Sequence, residues 1–311
     1  MEEENLIATR ESFGKALEEI DNEKVVVLDA DVDSSTKTNL FKKKFPERFV
    51  ECGISEANML GVAAGIATTG KIPVASTFAV FATGRCYDQI RNSICYPNLN
   101  VKIVGTHAGI TVGEDGATHQ MLEDINLMRG LPNMCVLSTS DDTSTRELTK
   151  IMIEHEGPCY LRVSRRKTPI IYTDDTRFEI GKGIQIGEGK DGTIFATGDL
   201  VSEALKAQEA LKSFDIDIRV CDMYSIKPID KELIIKNAKE TEILFSLEDH
   251  NIIGGLGTAI SEVLCEEYPK KLTRLGINDT FGKSGLGDSL LKYYKLDADS
   301  IIEEVKSCFI A

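Results

Sequence analysis

Short apolar runs rich in β-branched residues recur along the chain, each leading into small or polar residues and then a helical pattern. Val25 to Leu28 leads into DADVDSST, Val101 to Val104 into the glycine-rich stretch Thr106 to Gln120, Cys135 to Leu137 into STSDDT, and Tyr160 to Val163 into SRRKT. Ile194 to Ala196 precedes TGD, Ile218 to Cys221 precedes DMYS, Ile243 to Leu247 precedes EDH, and Leu272 to Ile277 is the last such run. Runs that stay apolar over so few residues suit strands buried on both faces. Their alternation with helices predicts βα units and parallel sheets, an α/β fold.

The helical segments carry their own signals. Phe13, Ala16, Leu17 and Ile20 form one stripe, and Tyr87, Ile90 and Ile94 another. Ser55 is placed to cap a helix running to Gly70, and Thr118 to cap Gln120 to Arg129. Asp141 or Asp142 caps a helix carrying Leu148, Ile151, Met152 and His155; Asp199 caps one carrying Val201, Leu205 and Leu211, and Asp230 a shorter one. These stripes read as core faces. Between Thr168 and Gly192 the pattern loosens into Pro169, Asp174-Asp175 and five glycines, as at a domain junction. The expected organisation is a larger domain over 1–172, a linker over 173–190 and a smaller α/β domain over 191–311.

Charge and cysteine usage narrow the classes. A net charge of −14 over 311 residues disfavours a nucleic-acid binder, which needs a basic face. The eight cysteines are scattered with no C-x-x-C pair, so they read as reduced thiols rather than a disulfide framework or zinc site. No apolar run approaches the ~20 residues of a membrane span. The start, MEEENLIATRESFG, has no apolar signal core. The expectation is a soluble cytoplasmic protein.

Five stretches could carry chemistry. In Thr106 to Gln120, Gly109, Gly113 and Gly116 stand among His107, Glu114, Asp115 and His119. Glycines permit tight turns that aim several polar groups at one volume, and a strand-to-helix connection is where open α/β sheets bind ligands. A metal site is one reading, although the histidine spacing matches no short metal pattern. Glu56, in ECGISEANMLG, is either functional or a first-turn glutamate favoured by the helix dipole. Phe78 and Phe81, three apart in VASTFAVFATG, present adjacent rings in a helical turn, either to a flat heterocycle or to the core. Arg162, Arg165, Arg166 and Lys167 follow a strand and could hold a phosphate or be a solvated charge run. Gly255-x-Gly257 and Gly181-x-Gly183 fail the dinucleotide fingerprint, and no P-loop occurs.

Taken in order, ECGISEANM, STFAVF, GTHAGITVGEDGATHQ and RVSRR resemble the pyrimidine-binding half of a transketolase, and SLEDHNIIGGLG with the closing α/β segment resembles the transketolase C-terminal domain. The resemblance implies thiamine diphosphate chemistry, in which the cofactor is the electron sink and the protein orients it. It makes Glu56 the carboxyl that hydrogen-bonds the aminopyrimidine ring and favours its imino tautomer, a task suited to a carboxyl in a dry site. Phe78 and Phe81 then form the pyrimidine pocket and Asp31 lies near the cofactor. Arg10, Ser35, His119 and Arg165 fall where the family binds the substrate phosphate, while His107 and Asp115 contact substrate hydroxyls and the reacting carbonyl region. Some members carry a third pocket aromatic where this chain has Gly84, which leaves Tyr87 or a partner residue to complete the pocket.

The G-D-G…N motif that holds magnesium and the cofactor phosphates in full-length members is missing; Gly198-Asp199 is followed by Leu200. The resemblance therefore implies the C-terminal subunit of a split transketolase. Thiamine diphosphate would be shared with an N-terminal, diphosphate-binding subunit that supplies most ligands to Mg²⁺ or Ca²⁺. The expected assembly is α2β2, acting on sugar phosphates. Alternatives are a 1-deoxyxylulose-5-phosphate synthase-like or 2-oxoacid dehydrogenase β-type subunit, or a scaffold subunit without chemistry.

Overall fold

A computed structural model describes residues 6–310. Two α/β units are built around separate sheets. The first sheet has seven strands in the order Ser225–Lys227, Cys135–Ser138, Cys159–Arg162, Lys102–Thr106, Ile72–Phe78, Val25–Asp29 and Phe49–Glu51. Every pairing is parallel except that of Ser225–Lys227 with Cys135–Ser138. Alternate side chains feed opposite faces, as the period of two requires. Val25 and Val27 pack with Phe13, Leu17 and Leu148 on one face, while Leu28 packs with Met59, Leu60 and Ile90 on the other.

The second sheet has the order Leu272–Ile277, Ile243–Asn251, Gly192–Ala196, Ile218–Asp222 and Ile184–Ile186, with only the last strand antiparallel. Helices Leu200–Leu211 and Ala298–Ile310 flank one face, and Lys231–Glu240 and Leu256–Glu267 the other. The two units interlock. Ser225–Lys227 leaves the second unit to become the edge strand of the first sheet. Within 173–190, expected as a linker, Ile184–Ile186 pairs with Ile218–Asp222.

Five of the shorter strands have no counterpart in the apolar runs: Ile7–Ala8 with its partner Lys167–Thr168, Phe49–Glu51, Ile184–Ile186 and Ser225–Lys227. Ile72–Phe78 was also missed as a strand, because Pro73, Ala75, Ser76 and Thr77 dilute its apolar signal. One predicted helix is shorter than its pattern. Thr118 does not cap a helix from Gln120; that helix is Asp124–Arg129. The Gln120 side-chain amide is used elsewhere, donating to the carbonyls of Ile110, Gly113 and Lys283, and Asn251 N–H donates to the Leu122 carbonyl. These long-range bonds hold 120–122 in an open path. Asp141 and Asp230 cap their helices as expected, through Ser144 N–H and Leu233 N–H. Asp199 and Ser55 occupy cap positions without capping: Asp199 accepts from Thr111, and the Ser55 hydroxyl donates to the Cys52 carbonyl.

Candidate active site

The site lies at the carboxyl ends of the first sheet's strands. Glu56 is the first residue of helix Glu56–Ala67, where the helix dipole favours a carboxylate, and it is only 4% exposed. Arg85 Nη1 donates to both of its oxygens, at 3.2 and 3.1 Å. The guanidinium carbon of Arg85 lies 4.2 Å from the Phe81 ring centroid. Phe78 closes strand Ile72–Phe78, and Phe81 follows in the π-helical turn Val80–Gly84. The helical turn expected across Phe78 to Phe81 is thus a strand end and a π turn, yet it still makes the rings neighbours. Their planes are 5° from parallel with centroids 5.6 Å apart.

His107 completes the aromatic group. It follows strand Lys102–Thr106 in a left-handed conformation, φ 56°, and its ring stacks on Phe78 at 3.9 Å. His119 stands edge-on to Phe78 and Phe81, at 6.3 and 5.4 Å. Arg10 Nη1 lies 2.9 Å from His107 Nε2, and Thr106 Oγ1 lies 2.9 Å from Nδ1. An arginine can only donate, so Nε2 accepts and Nδ1 carries the proton. Burial foremost, then the charges of Arg10, Arg165 and His119, pushes the His107 pKa down to about 3. His107 is therefore an oriented, uncharged imidazole with both nitrogens engaged.

Arg10 also donates to the Ser35 carbonyl at 3.0 Å, so Arg10, Ser35, His107, Phe78, Phe81 and His119 converge. Arg165 and Asp115 are at the rim, 3.4 Å apart, with Arg165 also donating to the Val112 carbonyl at 3.0 Å. Arg162 and Arg166 do not join them. Arg162 is buried against Asp124, and Arg166 pairs with Glu203 and Asp288. Asp31 is exposed on the loop after Val25–Asp29, with its backbone N–H donating to Glu51. Tyr87 packs at the margin of the core, so the Phe81 face is covered by Arg85 instead.

The glycine-rich stretch is anchored by the second unit. Ile110 and Leu122 are buried in the second unit's core cluster. Asp249 accepts from Ile110 N–H at 2.9 Å and from Thr111 N–H at 3.4 Å. At Gly109, φ +82°, an added Cβ would fall 2.0 Å from Asp249 Oδ2, so only glycine fits against this carboxylate. Ser284 Oγ donates to the Glu114 carbonyl at 2.6 Å. Sequence reasoning did not single out Arg85, Thr106 or Asp249 as functional. Arg85 follows Gly84 directly, but only the π turn shows that it reaches Glu56.

This arrangement has known relatives. Residues 5–170 match the family description "Transketolase, pyrimidine binding domain", and residues 181–301 match "Transketolase, C-terminal domain". The chain belongs to the transketolase family. It is 52% identical, over 95% of its length and 94% of the relative's, to a Methanocaldococcus jannaschii protein provisionally named a transketolase C-terminal section. It is 37% identical to human transketolase over 96% of its own length but 49% of the human protein. A solved structure titled "Split gene transketolase, inactive beta4 tetramer" superposes with a TM-score of 0.89 at 50% identity, covering 97% of both chains. Transketolases generally use thiamine diphosphate, and the described residues include no helix long and apolar enough to cross a membrane.

Proposed function

We propose that this chain is the cytoplasmic C-terminal subunit of a transketolase, working on thiamine diphosphate held jointly with a separate N-terminal subunit in an α2β2 complex. Its pyrimidine-binding domain would span 1–172 and its C-terminal domain 191–311. The observation that carries the reading is the buried Glu56 carboxylate beside the parallel rings of Phe78 and Phe81, in one cleft with neutral His107. These residues fit an aminopyrimidine. A flat heterocycle in the place of the Arg85 guanidinium would lie against Phe81 within hydrogen-bond reach of the carboxylate, since the guanidinium already makes both contacts. Mg²⁺ or Ca²⁺ and the diphosphate fall to the partner, since the chain carries no G-D-G.

Thiamine diphosphate, when bound, supplies a nucleophilic carbon and an electron sink for breaking and remaking the C2–C3 bond of a ketose. Glu56 holds and exchanges a proton with the pyrimidine ring nitrogen. Phe78 and Phe81 orient the ring. His107 remains uncharged, and once Arg10 turns to the substrate its Nε2 can accept from a substrate hydroxyl. Arg10, Arg165, the Ser35 hydroxyl and His119 hold the terminal phosphate, for which arginine offers paired donors. Asp115 orients a substrate hydroxyl and Asp31 lies beside the cofactor.

Ketol transfer from xylulose 5-phosphate to an aldose phosphate, with and without the diphosphate-binding partner, tests this. The complex is expected to turn over and the isolated chain to be inactive, in keeping with the related tetramer titled as inactive. Full activity of the isolated chain would overturn the split site, and turnover of pyruvate would favour the synthase-like or dehydrogenase-like alternative. The substrate anion is a second question. A Clostridium sp. relative, 39% identical over 90% of this chain, is named a 6-deoxy-6-sulfo-D-fructose transketolase subunit. A sulfonate presents the same tetrahedral oxygens to Arg10 and Arg165, so the assay includes a sulfosugar.

A further inference from the structure

We infer that Arg85 is a placeholder for the cofactor's aminopyrimidine ring, occupying the position the ring takes and leaving when the ring binds. This rests on the reading of Glu56, Phe78 and Phe81 given above. The aminopyrimidine would make two kinds of contact here: a flat face against Phe81 and a hydrogen bond to the Glu56 carboxylate. Arg85 makes both at once. Its guanidinium lies 4.2 Å from the Phe81 centroid, within the range of a cation–π contact. Its Nη1 donates to both Glu56 oxygens.

The two partners are unequal in burial. Glu56 is 5% exposed at its side chain, whereas Arg85 is 51% exposed. A carboxylate so enclosed is costly to leave unpaired, so something must answer it before the cofactor arrives. A half-exposed arginine can do so, and it has solvent to move into once the ring takes over its hydrogen bond to the carboxylate. Local backbone geometry sets up the exchange. The π-helical turn Val80–Gly84 carries one more residue per turn than an α-helix, and it is followed directly by Arg85. Gly84, with open space where a Cβ would be, leads directly into Arg85.

The exchange costs the cofactor part of its affinity, which a variant recovers. In the reconstituted complex, calorimetry with thiamine diphosphate is expected to show Arg85→Ala binding several-fold tighter than the parent and Arg85→Lys close to it. Thermal melting of the isolated chain with millimolar thiamine adds a readout independent of turnover. The Arg85→Ala chain should be stabilised by thiamine more than the parent, and methylguanidinium should compete with thiamine in the variant only. Unchanged or weaker cofactor binding by a folded Arg85→Ala complex overturns the placeholder, weaker binding marking Arg85 as a direct cofactor ligand. A parent complex that takes no thiamine diphosphate, together with an Arg85→Ala complex that also takes none, overturns the functional reading itself.

Discussion

The chain holds two clusters of charged residues at the carboxyl ends of its strands, and they differ in what surrounds them. Between the units, Arg162 pairs with Asp124 at 2.8 Å and donates to the Asp249 carbonyl at 2.7 Å, with Tyr160 donating to the same Asp124 oxygen. Both Arg162 and Asp124 are fully enclosed, and every contact is made within the chain. At the cleft, Glu56–Arg85 and Asp115–Arg165 use the same residue types, but each pair has a half-exposed arginine. A pair sealed on all sides fixes geometry. A pair with one solvated member can be exchanged for a ligand. Residue type does not distinguish the two clusters; the exposure of the arginine does.

The largest effect that could break this contrast is at Glu56. Glu56→Ala in the reconstituted complex should lower turnover by about 10²- to 10⁴-fold, the usual range for a lost acid–base group, with little change in melting temperature. Near-normal turnover would leave the cleft as unspecialised as a scaffold. The counterpart is Arg162→Met, expected to cost about 3–5 kcal/mol in stability by stranding Asp124, read from denaturant unfolding. A well-folded, fully stable Arg162→Met chain would deny that the inter-unit cluster is structural.

Gly109→Ala couples the two regions. It forces a side chain against Asp249 at φ 82° and ψ −174°, a region essentially limited to glycine, for which the backbone term alone is about 1–3 kcal/mol. Both the melting temperature and the Michaelis constant for the ketose should worsen. Arg165→Gln sharpens the contrast from the other side. Its exposed pair with Asp115 contributes less than about 1 kcal/mol, so melting should barely move while the Michaelis constant for a phosphorylated ketose rises.

A further effect is a pH dependence. Asp222 lies between the units, accepting from Ser140 at 2.6 Å and Tyr172 at 2.9 Å. Burial, outweighing these hydrogen bonds, raises its pKa to about 7. A carboxyl whose folded pKa exceeds its unfolded value contributes stability that is present at low pH and lost as pH rises through the folded pKa. Asp222→Asn should remove this loss, so its melting temperature relative to the parent improves from about pH 5 to pH 8. A pH-independent difference would show that Asp222 is not protonated in the fold at the lower pH. His107 has the opposite sense: its lowered pKa makes stability rise with pH between about 3 and the ordinary histidine value.

Much of the fold was legible because buried parallel strands are almost wholly apolar and their helices carry clear stripes. Val25–Asp29, Lys102–Thr106 and Leu272–Ile277 all coincide with the runs read from sequence to within two residues. Ile72–Phe78 was not legible as a strand, since small and hydroxylated residues suit a crowded sheet as well as a turn. Ser225–Lys227 could not be assigned to the first sheet, because its pairing with Cys135–Ser138 joins residues about ninety positions apart, beyond any local pattern. At the site, motif order picked out Glu56, Phe78, Phe81, His107 and His119. It was silent on Arg85, Thr106 and Asp249.

Local periodicity and motif order were enough for the α/β class, the two-unit layout and the family, because neither needs coordinates. Which charges are sealed and which are open is a matter of the three-dimensional packing. It placed Arg162 in the seam between units and Arg165 at the rim, though they are three residues apart. It set Arg85 on Glu56 and Phe81, and it gave the loop Thr106 to Gln120 to the second unit to hold. Enclosure depends on what packs from distant parts of the chain, and that is set by the whole fold rather than by any stretch of it.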